Sequence, residues 1–379
     1  MMAERAVQLP PEVLQLIISH VSRLQVDGDI SDDAFAFPAS HIITRTLRSC
    51  LTVCKATTAT SVEQLHLYCL HIDSPWRLRA LIRSYDSQTP LPGRSLNATQ
   101  LRRNASTSMF LKPFTLDTID EASVVTSISQ IFRILVKNLK RLIIDMPLRS
   151  YYPGEPRGQN LRMSLRKAFL SLSALEEFVS VRDELYLSTR IPSDYQIEPP
   201  VWAKWTKLRR LALYNLDLGE DWSEFIRNLP HLQTIMLTRA DFEDGRHLPC
   251  HTWPSTLHIG IVNTFRDHSK SHQEGLNRPV PEPFSGSSTI QRHCSTAGWT
   301  DRSKPELPAL YYICVDGRSL VKQDRSGQRG QPSSISQGRS SNNWAAHDLR
   351  GTFNDIQVCQ EWVKQRALRG DLWPDSSPI

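Results

Sequence analysis

The sequence lacks the signals that place a chain in or across a membrane. Its apolar runs are far shorter than the ~18 residues needed to span a bilayer. No basic region leads into a cleavable apolar segment near the start. We therefore expect an intracellular protein, cytoplasmic and/or nuclear, with no membrane partner.

Cysteine is scarce and irregularly spaced. The seven cysteines are an odd number in a long chain, so they do not form a disulfide framework and they fit a reducing compartment. Cys50 and Cys54 lie four residues apart, and His247, Cys250 and His251 lie close together in sequence. Zinc takes four ligands in a closed arrangement, and no feature of the sequence indicates that these two sets of residues come together in the fold. We predict no metal and no cofactor.

Short catalytic motifs are also absent. The sequence contains no GxSxG, GxxxxGK[ST] or GxGxxG pattern, so nucleophile elbows, P-loops and dinucleotide fingerprints find no support. We expect no catalytic residue and no enzymatic activity. A hydrolase or metal enzyme of unfamiliar signature is the alternative, and it requires a pocket with paired titratable groups.

The charge pattern gives little support for nucleic-acid binding. The 45 Lys and Arg against 39 Asp and Glu give a net charge of +6, but no run of five basic residues occurs. In VWAKWTKLRR, aromatic and basic side chains alternate as they do in base-stacking surfaces. We favour instead a structural role, in which Trp202 and Trp205 pack beside the following strand and the cations face solvent. We predict no nucleic-acid partner.

The chain does carry a large amount of apolar bulk near its start. Pro10 and Pro11 favour the beginning of a helix, with Glu12 near its positive end. Apolar residues then recur at helical spacing along one wide stripe: Val13, Leu14, Ile17, Ile18, Val21 and Leu24. We predict helices at about 11–24, 41–54 and 56–66, with an acidic insertion at 25–40. Three short helices form too small a core to be stable alone, so they must pack against the rest of the chain or a partner.

LPPEVLQLIISHV (residues 9–21) and TLRSCLTVCKATTATSVEQLHLYCLHIDSP (residues 46–75) resemble the F-box of fungal F-box proteins. The F-box pattern has Leu-Pro at its start, a Glu-aliphatic pair, aliphatic residues through the first helix, and a later segment ending in an aliphatic, a small residue and a cation. The matching positions here are Leu9, Pro10, Glu12, Val13, Ile17, Ile18, Val21, Leu51, Val53, Cys54 and Lys55. The acidic insertion departs from the compact family pattern.

The resemblance implies a binding function and no catalytic activity. An F-box inserts its helices into a groove of the Skp-type adaptor of an SCF (cullin-RING) E3 ubiquitin ligase. By that resemblance, the adaptor-binding residues are Leu9, Pro10, Val13, Leu14, Ile17, Ile18, Val21, Leu47, Leu51, Val53 and Cys54. The protein is then a substrate-recognition subunit with an unknown protein substrate. The alternative is a non-ligase scaffold or protein-binding repeat protein, in which these helices only cap the repeat domain.

The rest of the chain, residues 71–379, carries a repeated phrase of the form apolar-xx-Leu-xx-apolar-x-apolar. Four full copies begin at residues 136, 205, 229 and 307, and an imperfect copy at 172 has Ser180 in its last apolar position. Each full copy places two alternate apolar residues on one face of a strand, after a Leu. Helical candidates lie between copies at 120–137, 161–172 and 222–228. LRRLALYNLDL resembles the leucine-rich-repeat phrase, although the copy spacing is irregular.

We therefore predict an α+β protein: an N-terminal three-helix F-box at 1–70, followed by an irregular α/β leucine-rich-repeat-like solenoid. An ordinary α/β domain is the alternative for the second part. Segments 264–306 and 317–347 are rich in Ser, Gly, Pro and Gln, so we expect mobile loops or an error in the gene model there. A closing helix is expected from Phe353 to Gly370. Target-reading positions are expected on exposed strand residues: Arg141, Glu177, Arg210 and Thr234.

Overall fold

The structure, a computed structural model, describes most of the chain in separate segments. The described residues are 9–21, 36–86, 108–151, 153, 155–189, 198–216, 222–239, 253–264, 290–292, 309–315 and 355–373. Within them the fold is mixed helix and strand, with one open sheet. The predicted loop 317–347 lies outside the described residues, as does most of the acidic insertion and of segment 264–306.

Three helices come first, and we call residues 9–70 the head. They are α1 (Pro11–Val21), α2 (Ile42–Cys50) and α3 (Lys55–Tyr68). The first helix begins at Pro11 as predicted. The second ends four residues earlier than predicted, because residues 51–53 form a turn. The side chains of 65–73 alternate as in a strand, but α3 continues through Tyr68 and only His71–Ile72 form a strand.

The remaining elements form a sheet with helices. The strands are β1 (His71–Ile72), β2 (Ser108–Leu111), β3 (Arg141–Ile144), β4 (Glu177–Ser180), β5 (Arg210–Tyr214), β6 (Thr234–Thr238), β7 (His258–Thr264), β8 (Ile290–Arg292) and β9 (Ala309–Val315). Their order in the sheet is β1-β2-β3-β4-β5-β6-β7-β9-β8. Every pairing is parallel except that of β8 with β9. Neighbouring strands therefore follow chain order through most of the sheet.

Helices connect these parallel strands, as parallel pairing requires. They are α4 (Pro75–Asp86), α5 (Ala122–Leu135), α6 (Pro156–Leu170) and α7 (Trp222–Arg227), and a 3-10 turn at Val201–Lys204 precedes β5. The predicted helices at 120–137, 161–172 and 222–228 are thus confirmed with small shifts at their ends. The buried face of α4 consists of Leu78, Leu81, Ile82 and Tyr85, whereas Trp76 is exposed.

The repeated phrase forms the core between the sheet and these helices. In the copy at 136, Leu139, Leu142 and Ile144 are all fully buried in the same apolar cluster as α4 to α7. The leucine before each strand packs there too, as Leu175, Leu208 and Leu232 do. Ser180, in the last apolar position of the imperfect copy, is buried, and its Oγ finds no hydrogen-bond partner among the described residues.

The opposite face of the sheet is also apolar and is covered by the C-terminal helix α8 (Asp355–Arg369). A row of side chains crosses this face from β2 to β6: Phe110, Ile143, Val179, Ala212 and Met236. Val358, Val363 and Ala367 of α8 pack in the same cluster, followed by Trp373. The helix ends at Gly370, whose φ of 83° is left-handed, as the sequence predicted. Strands buried on both faces explain why the phrase is nearly continuous in apolar residues.

Candidate interaction surfaces

The head has a small apolar core of its own. Ile18, Ile43 and Leu47 are buried together with Phe37, and half-buried residues of α3 close the cluster. Two of the residues that the F-box resemblance assigns to the adaptor, Ile18 and Leu47, are therefore used inside the head. Their exposed fractions are 3% and 0%, so we correct their expected role from partner contact to support of the head.

The outer side of α1 is an exposed apolar stripe. Leu9, Val13, Leu16 and Ile17 have exposed fractions of 49%, 39%, 59% and 49%. Leu16 and Ile17 lie three and four residues after Val13 on α1, so these three side chains share one face of the helix, and Leu9 lies two residues before the helix begins. Pro10, the residue before the helix, is also exposed. The remaining predicted adaptor residues of α1 that are not buried, Leu14 and Val21, are half-buried.

The turn between α2 and α3 presents a further apolar side chain. Val53 is 70% exposed, Cys54 is exposed and Leu51 is half-buried. Thr57 holds this turn in place, because its hydroxyl donates to the Cys50 carbonyl at 2.7 Å and accepts the Cys54 N–H at 3.3 Å. The segment that carries the second half of the F-box resemblance is thus an ordered, outward-facing turn.

The head is joined closely to the sheet. α3 passes into β1 through only two residues, and the second of them, Leu70, is buried in the main core. His66 of α3 lies within hydrogen-bond distance of the Tyr85 hydroxyl of α4, with 3.1 Å between Nδ1 and Oη. The Phe110 N–H of β2 also donates to the Leu70 carbonyl at 3.0 Å. These contacts continue the packing from one region into the other.

The strand positions that we expected to read a target lie on the face that α8 covers. Glu177 is 4% exposed and Thr234 is fully buried, so neither is available to a target in this arrangement. The Glu177 carboxylate lies between two arginines, with Oε2 at 3.3 Å from Arg141 Nε and 3.6 Å from Arg210 Nη1. The Arg210 guanidinium also lies 5.9 Å from the ring centre of Trp373. The expectation of exposure is therefore wrong for Glu177 and Thr234, whereas Arg141 and Arg210 are half-buried.

The two tryptophans of VWAKWTKLRR belong to the core. Trp202 and Trp205 have exposed fractions of 1% and 0%, and the Trp205 indole N–H donates to the Phe169 carbonyl at 3.0 Å. Lys204 and Lys207, between and after them, are exposed. The structural role that we favoured for this segment matches these positions, because buried indoles cannot stack on bases.

A buried polar network was missed by sequence reasoning. The guanidinium of Arg162 on α6, 1% exposed, donates to four backbone carbonyls: Leu148, Tyr151, Tyr186 and Ser188. Asp183 lies fully buried beside the same loops and accepts the N–H groups of Leu148 and Leu185 at 3.0 and 2.8 Å. No pattern in the sequence separates this arginine from its exposed neighbours on the helix. The network fixes the loops that follow β3 and β4.

No family model, curated protein or solved structure matches this chain. None of the helices that the structure describes is long and apolar enough to cross a bilayer. Within the same residues, no three His, Cys, Asp or Glu side chains are grouped so as to hold a metal ion. Cys50 and Cys54 belong to the described head, whereas His247, Cys250 and His251 lie outside the described residues.

The burial of Asp183 predicts a pH-dependent stability. Burial raises its pKa from 3.8 to about 7, against the opposing effect of the Leu185 N–H. The folded chain therefore keeps a proton that the unfolded chain has lost over this interval, so the free energy of unfolding should fall as pH rises from about 4 to about 7. Above pH 7 both states have lost the proton, and the contribution stays constant.

Urea unfolding of the parent and of Asp183→Asn at several pH values checks this expectation. The variant has no titrating carboxyl at this position, so the difference in stability between the two proteins should change between pH 4 and 7 and level off above it. A difference that is independent of pH over this interval contradicts the expectation.

Proposed function

We propose that this protein is the substrate-recognition subunit of an SCF (cullin-RING) ubiquitin ligase. In this proposal, the head is an F-box that binds a Skp-type adaptor, and through the adaptor a cullin. The remainder is an irregular leucine-rich-repeat-like domain that binds a protein target. Binding both partners at once raises the concentration of the target beside the ubiquitin-conjugating enzyme. The protein itself performs no chemistry.

The observation that carries the proposal is the exposed apolar stripe of α1. Leu9, Val13, Leu16 and Ile17 together leave a strip of aliphatic surface in water, although the head already fills its core with Ile18 and its neighbours. Contiguous exposed apolar patches on soluble domains mark interaction sites. An amphipathic helix laid into an apolar groove is a recurring mode of recognition, and it uses anchors at this spacing.

The turn at residues 51–54 gives a second reason. Val53 is the most exposed of the large apolar residues of the head, and the Thr57 hydroxyl holds its turn. The turn carries the aliphatic-small-cation segment of the F-box pattern, in Val53, Cys54 and Lys55. A preformed turn binds with less loss of conformational freedom than a loop that must order on binding.

The parallel sheet, with strands in chain order and helices along one face, supports a leucine-rich-repeat-like reading of the second region. Each full copy of the phrase runs into a strand of this sheet, namely β3, β5, β6 and β9. Consecutive units that each contact their neighbours are the pattern of repeat domains. The helix α8 over the other face is a departure from a simple open repeat.

The alternative is a scaffold whose N-terminal helices cap the repeat domain. The contacts of His66 with Tyr85 and of the Phe110 N–H with the Leu70 carbonyl favour it, because they tie the head to α4 and the sheet. Capping does not require an exposed stripe on α1, however. The two functions therefore differ in what they predict for that stripe.

Val13→Asp combined with Ile17→Asp tests the proposal. Both side chains are exposed, so the pair should leave the fold intact while placing two charges where the adaptor's apolar groove would be. We expect co-purification of the full chain with a Skp-type adaptor to fall by about tenfold or more, as for central interface anchors. The measurement is co-expression and pull-down, with a circular-dichroism melt of each variant.

Met163→Asp with Leu170→Asp is the matched control. These residues of α6 are also exposed, at 54% and 38%, and lie outside the head. The control should bind the adaptor as the parent does. If the parent binds the adaptor and the folded α1 variant binds it equally well, docking through this stripe is wrong. If the parent does not bind it at all, the scaffold alternative stands.

A further inference from the structure

The cations of the body are not spread evenly over the fold. Because the strands are parallel, each connecting helix runs back, and helix ends and strand beginnings meet at one edge of the sheet. Several exposed cations lie there. Lys140 pairs with Glu176 and Arg209 bonds to Gln233, and five others lie on α5, on α6 and around the 3-10 turn that precedes β5. They are Arg133, Lys137, Lys167, Lys204 and Lys207. We call these five residues the basic edge. α5 packs against α6, and α6 packs against the 3-10 turn, so the three elements are neighbours.

The opposite edge is organised differently. There, where strands end and helices begin, cations are paired with carboxylates, as in Arg149–Glu184 at 2.7 Å. Lys112 likewise lies 2.9 Å from an Asp145 oxygen. For the five residues of the basic edge, no carboxylate of the described segments lies within ion-pair distance. Asp86 lines the same surface pocket as Arg133 and accepts a hydrogen bond from Gln130 at 2.9 Å, and Glu176 pairs with Lys140 at 3.1 Å.

Stabilisation of helix dipoles explains only part of this pattern. Arg133 and Lys167 lie in the last turns of α5 and α6, where a cation is favourable. Lys137 follows the end of α5, and Lys207 lies between the 3-10 turn and β5. Neither residue is within a helix, so a favourable interaction with a helix dipole does not account for them. Clustered charges of one sign raise the local potential and attract a partner of the opposite sign.

We propose that the basic edge binds an acidic, extended segment of another protein. Neighbouring helices are separated by about 8–10 Å, so three adjacent elements present a row of charges roughly 20 Å long. An extended chain rises about 3.3 Å per residue, so six or seven residues cover this row. Nucleic acid is the other anionic polymer, but the aromatic residues nearest this row, Trp202 and Trp205, are buried and offer no stacking surface.

The inference does not depend on the proposed ligase function, since it concerns a surface outside the head. The test uses the full chain and a fluorescent decaglutamate peptide, with anisotropy as the readout. Lys137→Gln, Lys167→Gln and Lys207→Gln together should raise the dissociation constant by about tenfold, because three attractive charges are lost. Binding to the parent should also weaken between 50 mM and 300 mM salt, as expected for exposed charges.

The control is Arg45→Gln, Arg48→Gln and Lys55→Gln, which removes three exposed cations of the head and the same net charge. It should change the dissociation constant by less than about twofold, because its charges are remote from the row. Equal losses in both triple variants, or no loss in the first, overturn the proposal. Tighter binding of a single-stranded decanucleotide than of decaglutamate also overturns it. If the first triple melts early, Lys137→Gln with Lys207→Gln replaces it, with an expected loss of severalfold.

Discussion

Replacement of Arg162 by methionine is expected to lower the free energy of unfolding by about 4 kcal/mol, because it leaves buried carbonyls without donors. The arginine side chain donates to four carbonyls, from Leu148 and Tyr151 before α6 and from Tyr186 and Ser188 after β4. Methionine fills a similar volume but donates to none of them. The loss should therefore exceed that of an ordinary surface ion pair.

Urea unfolding followed by circular dichroism measures this effect. Arg162→Lys should show an intermediate loss, since an ammonium group has only three donors and lacks the planar fork that reaches separate carbonyls. Met163→Ala, at the exposed neighbour, should stay within about 0.5 kcal/mol of the parent. A loss in Arg162→Met no greater than in Met163→Ala means that the four bonds do not hold these loops.

Val363→Asp on α8 is also expected to lower the free energy of unfolding by about 4 kcal/mol, because it buries a charge without a partner. Val363 is 1% exposed, in the cluster that joins α8 to Phe110, Ile143 and Met236. A charge at this position favours detachment of the helix, and detachment brings the apolar row of the sheet into water. We therefore expect increased binding of a hydrophobic dye and self-association at higher protein concentration.

The matched control is Gln365→Asp, two residues along the same helix. Gln365 is half-buried and bonds to Glu361 at 3.1 Å, so its replacement should cost far less. Dye binding and light scattering of both variants, compared with the parent, give the readout. Equal behaviour of the two variants contradicts the assignment of α8 as the cover of the sheet.

The sheet could largely be predicted from the sequence. Each copy of the repeated phrase carries its strand signal within nine residues, so local pattern and final structure agree, as at Leu139, Leu142 and Ile144. The helices between copies were found because their buried faces recur at helical spacing. Residues 65–68 alternate as strand residues do and yet lie in α3, because alternation over so few residues is compatible with a helix as well.

The surfaces could be predicted much less well. The sequence identified α1 as strongly apolar, but its periodicity did not separate Ile18, which is buried, from Ile17, which is exposed. Glu177 and Thr234 are residue types that usually face solvent in a strand. They are buried here because α8, more than a hundred residues away in sequence, covers their face of the sheet. Arg162 is the same kind of case, because the carbonyls that it binds come from two separate loops.

The sequence by itself determined the helices of the head, the strands that the repeated phrase marks with the helices between them, and the leucine-led core on one side of the sheet. Its catalytic, metal and nucleic-acid motifs are too few to favour such functions. The tertiary structure alone decided which apolar residues of the head stay in water, that α8 closes the second face of the sheet, and that unpaired cations gather along one edge. The physical reason is the distance in sequence over which each interaction acts. Helix and strand preferences act between residues a few positions apart, whereas exposure and charge pairing depend on segments that meet only after the chain has folded.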